Sequence, residues 1–144
     1  MRRKTGFLVL FLILSTLIFA QEQSTYVGVD KCMLCHPQES QDYKARKFAK
    51  SWQVLQMREK TKDPECLKCH TTGFGEPSGF VSEEQTPHLK YKQCEACHGP
   101  GSLHANNPGD LKLREEIKKY AERPDTCTKC HKGVIAHRVG VKGF

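Results

Sequence analysis

The hydrophobic residues of this chain are concentrated at its amino terminus, and the remainder is mostly polar. Three basic residues, 2–4, precede an almost wholly apolar run of 13 residues, Phe7–Phe19. This pattern is typical of a secretory signal, and the run is too short to span a bilayer, which needs about 20 residues. We therefore predict a signal peptide over residues 1–20 and one exported domain over residues 21–144. Ile18 matches a cleavage site poorly, which leaves an uncleaved membrane anchor as the alternative.

Two stretches of the predicted domain have the pattern of helices. Residues 38–60 contain few helix breakers and predict the longest helix, in which Phe48 and Trp52 are four positions apart and share a face. Residues 110–122 predict a polar helix that begins at an aspartate and stops before an Arg-Pro pair. The 23 residues 71–93 contain three glycines and two prolines, which predict a loop. The expected fold class is therefore mainly α with long loops.

A five-residue pattern, Cys-x-x-Cys-His, occurs four times and uses all eight cysteines of the chain. It is the attachment motif of a c-type haem, in which two thiols bond to the porphyrin and the adjacent histidine is the proximal ligand of the iron. Zinc ribbons and disulfides could use the same cysteines, but neither explains a histidine after every second cysteine. We therefore predict four covalently bound haems. Their attachment residues are Cys32, Cys35 and His36; Cys66, Cys69 and His70; Cys94, Cys97 and His98; and Cys127, Cys130 and His131.

Four haems would also explain how a chain with few aliphatic residues can fold. The predicted domain of 124 residues should bury about two-thirds of its unfolded surface, yet it is mostly Lys, Glu, Gly, Pro, Cys and polar residues. Porphyrin rings are broad and apolar, so they can replace side chains in a small haem-organised core. We therefore expect the protein without haem to be largely unfolded.

The basic character of the polypeptide does not indicate a nucleic-acid partner. The formal net charge of +7 falls to +4 when the three basic residues of the predicted signal are removed. Four ferric haems would add about −4 and four ferrous haems about −8, because each haem carries two propionates and its iron-porphyrin centre is +1 only in the ferric state. The protein with haem is then near neutral or mildly acidic. The sequence also lacks an aromatic-rich basic groove, so we exclude nucleic acid.

The histidine count limits how the four irons can be ligated. Beyond the four proximal residues, the chain contains His88, His104 and His137 as candidate distal ligands. Even if all three bind iron, at least one haem has no distal histidine. That haem could take Met57, a lysine or water, or it could remain five-coordinate. An open iron could bind a small gas such as nitric oxide.

The segments YVGVDKCMLCH, CLKCHTTGFG with the following SGF, and CEACHGPG together resemble the tetrahaem cytochrome c-552/c-554 family. The resemblance implies a mainly helical fold around closely packed haems, mostly bis-histidine ligation and one five-coordinate haem. The best-known member of the family takes electrons from hydroxylamine oxidoreductase. His104 matches the distal histidine that follows CHGPG in the family. Tyr43 and Phe48 stand where the family typically has a tryptophan and a distal histidine, so a second haem could be open or differently ligated here.

We therefore expect a periplasmic carrier that transfers single electrons between redox partners, a quinol-linked donor and a periplasmic oxidoreductase. Such a carrier needs no catalytic residue of its own. The alternative is a haem enzyme that reduces or oxidises a small nitrogen oxide, nitric oxide or hydroxylamine, at an open iron. A membrane is expected as a partner only if the N-terminal segment stays uncleaved. A gas sensor would need an additional signalling domain, for which the chain has no room.

Overall fold

The structure is a computed structural model that describes residues 22–131. Within this range the chain folds into short helices joined by long loops, with one isolated antiparallel bridge between Thr71 and Lys90 instead of a strand. The predicted fold class, mainly α with long loops, is confirmed. The predicted signal peptide and His137 lie outside the described residues. The helices are α1 (Val29–Met33), α2 (Pro37–Ala45), α3 (Ser51–Met57), α4 (Pro64–His70), α5 (Glu95–His98), α6 (Ser102–Asn106), α7 (Leu111–Ala121) and α8 (Pro124–His131), with 3-10 helices at Lys47–Lys50 and Pro87–Leu89.

The longest predicted helix is not continuous. Residues 38–60 form α2, a 3-10 helix and α3, because the backbone at Arg46 is extended, with φ −85° and ψ 154°. Helix α2 has no buried residue, so no packed apolar face holds it in line with α3. Helix α3, by contrast, buries Trp52 and Leu55. The prediction of one helix was therefore wrong because the tertiary contacts of its second half set a new direction.

Phe48 and Trp52 do not share a helix face. Phe48 lies in the 3-10 helix and is 41% exposed, with the Lys92 ammonium 5.2 Å from its ring centroid. Trp52 is almost fully buried and packs against Phe80, with the ring centroids 5.5 Å apart. The two residues lie on either side of Lys50, where the 3-10 helix ends and α3 begins with a backbone of φ −113° and ψ 9°, so they do not belong to one continuous helix.

The other local predictions are confirmed. Helix α7 covers most of residues 110–122, and the carboxylate of Asp110 caps it by accepting hydrogen bonds from the backbone N–H groups of Lys112 and Leu113. Residues 71–93 form a loop that contains the short 3-10 helix Pro87–Leu89. This loop is held to itself by backbone hydrogen bonds from Thr72 N–H to the Leu89 carbonyl and from Phe80 N–H to the Thr72 carbonyl.

The apolar core is small, as the composition predicts. Among the described residues it contains six buried hydrophobic side chains, which come from the N-terminal segment, α3, α4 and the loop after α4. This core lies between the second haem motif and the loop of residues 71–93. Helices α2 and α7 and most of α8 remain at the surface. No helix in residues 22–131 is both long enough and apolar enough to cross a membrane. The core residues are Tyr26, Trp52, Leu55, Leu67, Phe80 and Leu89.

Candidate haem-attachment sites

Each Cys-x-x-Cys-His motif lies on a helix or directly beside one. The second and fourth motifs end α4 and α8, the third overlaps α5, and the first runs from α1 to the residue before α2. In a helical turn, residues three and four positions apart share a face. The two thiols and the histidine of a motif can therefore be presented on one side, as attachment to a single porphyrin requires.

The first motif faces a histidine from a distant part of the chain. The imidazole rings of His36 and His104, which lies on α6, have centroids 6.4 Å apart and planes inclined by 40°. The Nδ1 atom of His104 is buried and has no hydrogen-bond partner among the described residues. Burial lowers the pKa of His104, and the charges of His36 and Arg114 lower it further. Both effects favour the neutral imidazole, which is the form that binds metal.

The spacing of these two rings fits ligation of a shared iron. An imidazole nitrogen binds a transition metal at about 2 Å, so two imidazoles on opposite sides of one metal ion have centroids about 6 Å apart. The observed separation of 6.4 Å is close to that value. The residues of the first motif and His104 therefore fit a c-type haem with a histidine on each side.

A cavity of about 190 Å³ opens between α5, α6 and α7. Both the proximal His98 and the candidate distal His104 line it, and most of its remaining lining is apolar. Apolar walls with a histidine at the edge are the surroundings that the rim of a porphyrin requires. The other lining residues are Ser24, Pro100, Leu103, Leu113, Glu116, Ile117 and Tyr120.

Two of the predicted proximal histidines have backbone partners for their Nδ1 atom. The Nδ1 atom of His70 lies 2.8 Å from the carbonyl oxygen of Ser51, and that of His98 lies 3.4 Å from the carbonyl of Ile117. A metal-bound histidine usually donates its other N–H to such a group, which fixes the orientation of the ring. In both motifs the Nε2 atom is thereby left for iron.

The cysteines of different motifs lie beside one another. None of the eight cysteines forms a disulfide in the structure, and all of them lie in the described residues. The Cys94 thiol and burial together raise the pKa of Cys32, and Glu95 of the third motif accepts hydrogen bonds from Val27 and Gly28 just before the first motif, so these two motifs are neighbours. Burial, and then the thiol of Cys130, raise the pKa of Cys69 to about 12, so the second and fourth motifs are also neighbours.

The sequence is similar to known c-type cytochromes. Residues 31–99 match the family model described as cytochrome c554 and c-prime. The chain is also similar to cytochrome c-554 of Nitrosomonas europaea, with 33% identity over 91 residues. Both matches support a c-554-type cytochrome family for this chain. The family resemblance that the motifs indicate is thus confirmed.

The matched family supports a c-type cytochrome with covalently bound haem c, whereas electron transfer and redox partners remain proposals for this chain. The aligned region covers 53% of this chain and 39% of the c-554 relative, so the chain spans well under half of that protein's length. No solved structure matches the chain significantly. The number of haems and the identity of the partners are therefore taken up as proposals below.

The c-554-type assignment leaves the other candidate ligands to be located. His88 is exposed on the second 3-10 helix, and its ring lies against the backbone of Gly28. Met57 ends α3 and is 67% exposed. His137 lies outside the described residues. The structure brings the ring of His104 close to that of His36, whereas the ligand roles of His104, His88, His137 and Met57 all stay predictions.

Sequence reasoning missed the backbone groups that orient the proximal histidines. Ser51 contacts His70 twice, because its carbonyl pairs with the Nδ1 atom and its hydroxyl donates to the His70 carbonyl at 2.9 Å. Any residue can supply a backbone carbonyl, so no sequence signal marks such a partner. The hydroxyl also accepts a hydrogen bond from Lys92 N–H at 2.8 Å, and only the fold brings these three residues together.

Proposed function

We propose that this cytochrome is an exported, periplasmic electron carrier with four covalently bound haems. The proposal rests on four complete attachment motifs, which use all eight cysteines, and on the signal-like segment over residues 1–20. Haem c supplies one-electron redox chemistry when bound. The polypeptide's own part is to attach the groups, choose their ligands and exclude water.

The facing rings of His36 and His104 are the observation that supports a carrier best. A haem with a histidine on each side has no free position for a substrate, so it can gain and lose electrons without binding another molecule. The Nδ1 contacts of His70 and His98 fix two further proximal rings in place. Such rigid ligation suits electron transfer, because little has to move when the charge on the centre changes.

The contacts between thiols support two pairs of neighbouring centres. One pair joins the first motif to the third through Cys32 and Cys94, and the other joins the second to the fourth through Cys69 and Cys130. Attachment sites in such close contact would hold their groups near enough for electron exchange. We infer that each pair acts as one relay within the domain of residues 21–144.

The second candidate function is an enzyme acting on a small nitrogen oxide. It is favoured by the position of Phe48, which stands where the family has a distal histidine and is 41% exposed. It is also favoured by His88, which lies at the surface beside Gly28 and not beside one of the proximal rings. An iron without a distal histidine could bind nitric oxide or hydroxylamine.

Low-temperature electron paramagnetic resonance of the fully oxidised holoprotein separates these two functions. The carrier proposal predicts low-spin ferric signals that persist after nitric oxide is added. A high-spin signal that nitric oxide abolishes would reveal an open iron. Steady turnover of nitric oxide or hydroxylamine at that iron would then establish the enzyme and overturn the carrier.

A further inference from the structure

A buried carboxylate lies inside the third haem motif. Glu95 is one of the two residues between Cys94 and Cys97, and only 3% of its surface is exposed. Its two oxygens accept hydrogen bonds from the backbone N–H groups of Val27 at 3.1 Å, Gly28 at 2.8 Å and Gly101 at 2.8 Å. All three donors are backbone amides, so both oxygens act purely as acceptors, as those of an ionised carboxylate do.

These donors lie on the two segments that carry the facing histidines. Val27 and Gly28 lead directly into α1 and the first haem motif, and Gly101 is the residue before α6, which carries His104. One side chain therefore joins the third motif to both sides of the His36–His104 pair. A second contact extends the same junction, because Thr25 N–H donates to the Ser102 hydroxyl at 2.8 Å.

The glycines at this junction allow the backbone to approach the carboxylate. A Cβ atom added at Gly101 would lie 3.2 Å from Oε1 of Glu95. Gly28 has φ +84°, in the region that side chains rarely adopt, and an added Cβ would lie 3.2 Å from the His88 carbonyl. The short hydrogen bonds to Glu95 thus depend on residues without side chains.

The charge of Glu95 is balanced by amide dipoles. Among the described ion pairs none includes Glu95. A buried carboxylate is costly unless it is well hydrogen-bonded, and charge-assisted bonds from successive backbone N–H groups can meet that requirement. A fixed negative charge in a poorly solvated place stabilises the ferric state of a nearby iron over the ferrous state, because the ferric state carries one more positive charge.

We propose that Glu95 is the positioning residue that holds His104 opposite His36, and that its charge lowers the reduction potential of the haems in the first and third motifs. The inference rests on the His36–His104 ligation proposed above. Glu95 does not touch iron in this account. It acts through the backbone of residues 27–28 and 101 and through its electrostatic field.

The test compares the holoproteins E95Q, E95D and E65Q by potentiometric titration followed by electron paramagnetic resonance. E95Q keeps the shape but removes the charge and directs an amide –NH₂ at backbone donors. We expect at least one midpoint potential to rise and the low-spin signal of the His36–His104 haem to change. E95D keeps the charge but shortens the reach, so we expect that signal to change with a smaller shift in potential.

Glu65 provides the matched control. It also lies next to a haem cysteine, Cys66, but its side chain is 79% exposed and pairs with Lys68. Solvent screens an exposed charge, so E65Q should leave the low-spin signals and potentials close to those of the unmodified protein. If E95Q does not mature, G101A carries the test, because it keeps the charge and displaces the carboxylate.

The outcomes distinguish the role of Glu95 from the proposed ligation of one iron by His36 and His104. The low-spin signal that disappears in H104A identifies the haem in question. If H104A removes such a signal while E95Q, or G101A in its place, changes neither that signal nor any potential, Glu95 has no positioning role. If H104A leaves every low-spin signal unchanged, His36 and His104 do not bind the same iron. The positioning role proposed for Glu95 is then also wrong.

Discussion

Among single residues, His104 has the clearest structural assignment. Its position after CHGPG marks it as a candidate ligand in the sequence, and the structure sets its ring 6.4 Å from that of His36. His88 was an equal candidate by residue count, yet it lies exposed on a short 3-10 helix. Which histidine meets which motif depends on long-range packing around Glu95 and Gly101, and sequence pattern does not report such packing.

Replacing His104 tests this assignment directly. We expect H104A to convert one low-spin haem to high spin, because the iron of the first motif loses a strong distal ligand. The change is measured by electron paramagnetic resonance and visible absorption of the oxidised holoprotein. H88A is the matched control and should leave both spectra unchanged. If H88A changed these spectra and H104A did not, the assignment of His104 as the distal ligand of the first motif would be contradicted.

Among the elements, the local signals in the sequence predicted α7 and the loop of residues 71–93 well. An aspartate at the start, an Arg-Pro pair at the end, and repeated glycine and proline act within a few residues, so a pattern can report them. The prediction of one helix over residues 38–60 was wrong because the signal that breaks it is not local. Nothing local marks Arg46 as a break, because the break serves the burial of Trp52 and Leu55 in a core built from distant segments.

The second 3-10 helix contributes to that core through Leu89, which is fully buried. We expect L89A to lower the free energy of unfolding by about 2–5 kcal/mol, since it removes a packed side chain and leaves a cavity. L111A is the control, because Leu111 is 74% exposed and surface substitutions change stability by about 0.5 kcal/mol or less. Denaturant unfolding of the two holoproteins measures both values. Equal losses would show that Leu89 is not part of a packed core.

At the scale of the whole molecule, the residues 22–131 that the structure describes bury only six hydrophobic side chains, which is few for a segment of that length. We therefore expect the protein without haem to be largely unfolded, as small domains that depend on a metal centre are. Circular dichroism and thermal unfolding of a preparation in which haem attachment is blocked provide the measurement. A haem-free chain with a cooperative transition and native-like helix content would contradict the idea of a haem-organised core.

The central claim is that the four motifs hold four haems in one exported chain. Its most direct test is the intact mass of the protein purified from a host that attaches c-type haem. We predict the mass of the polypeptide without residues 1–20 plus four haems, and the loss of a single haem in the double variant C127A/C130A. Fewer than four haems in the unmodified protein, or cysteines paired as disulfides, would contradict the account.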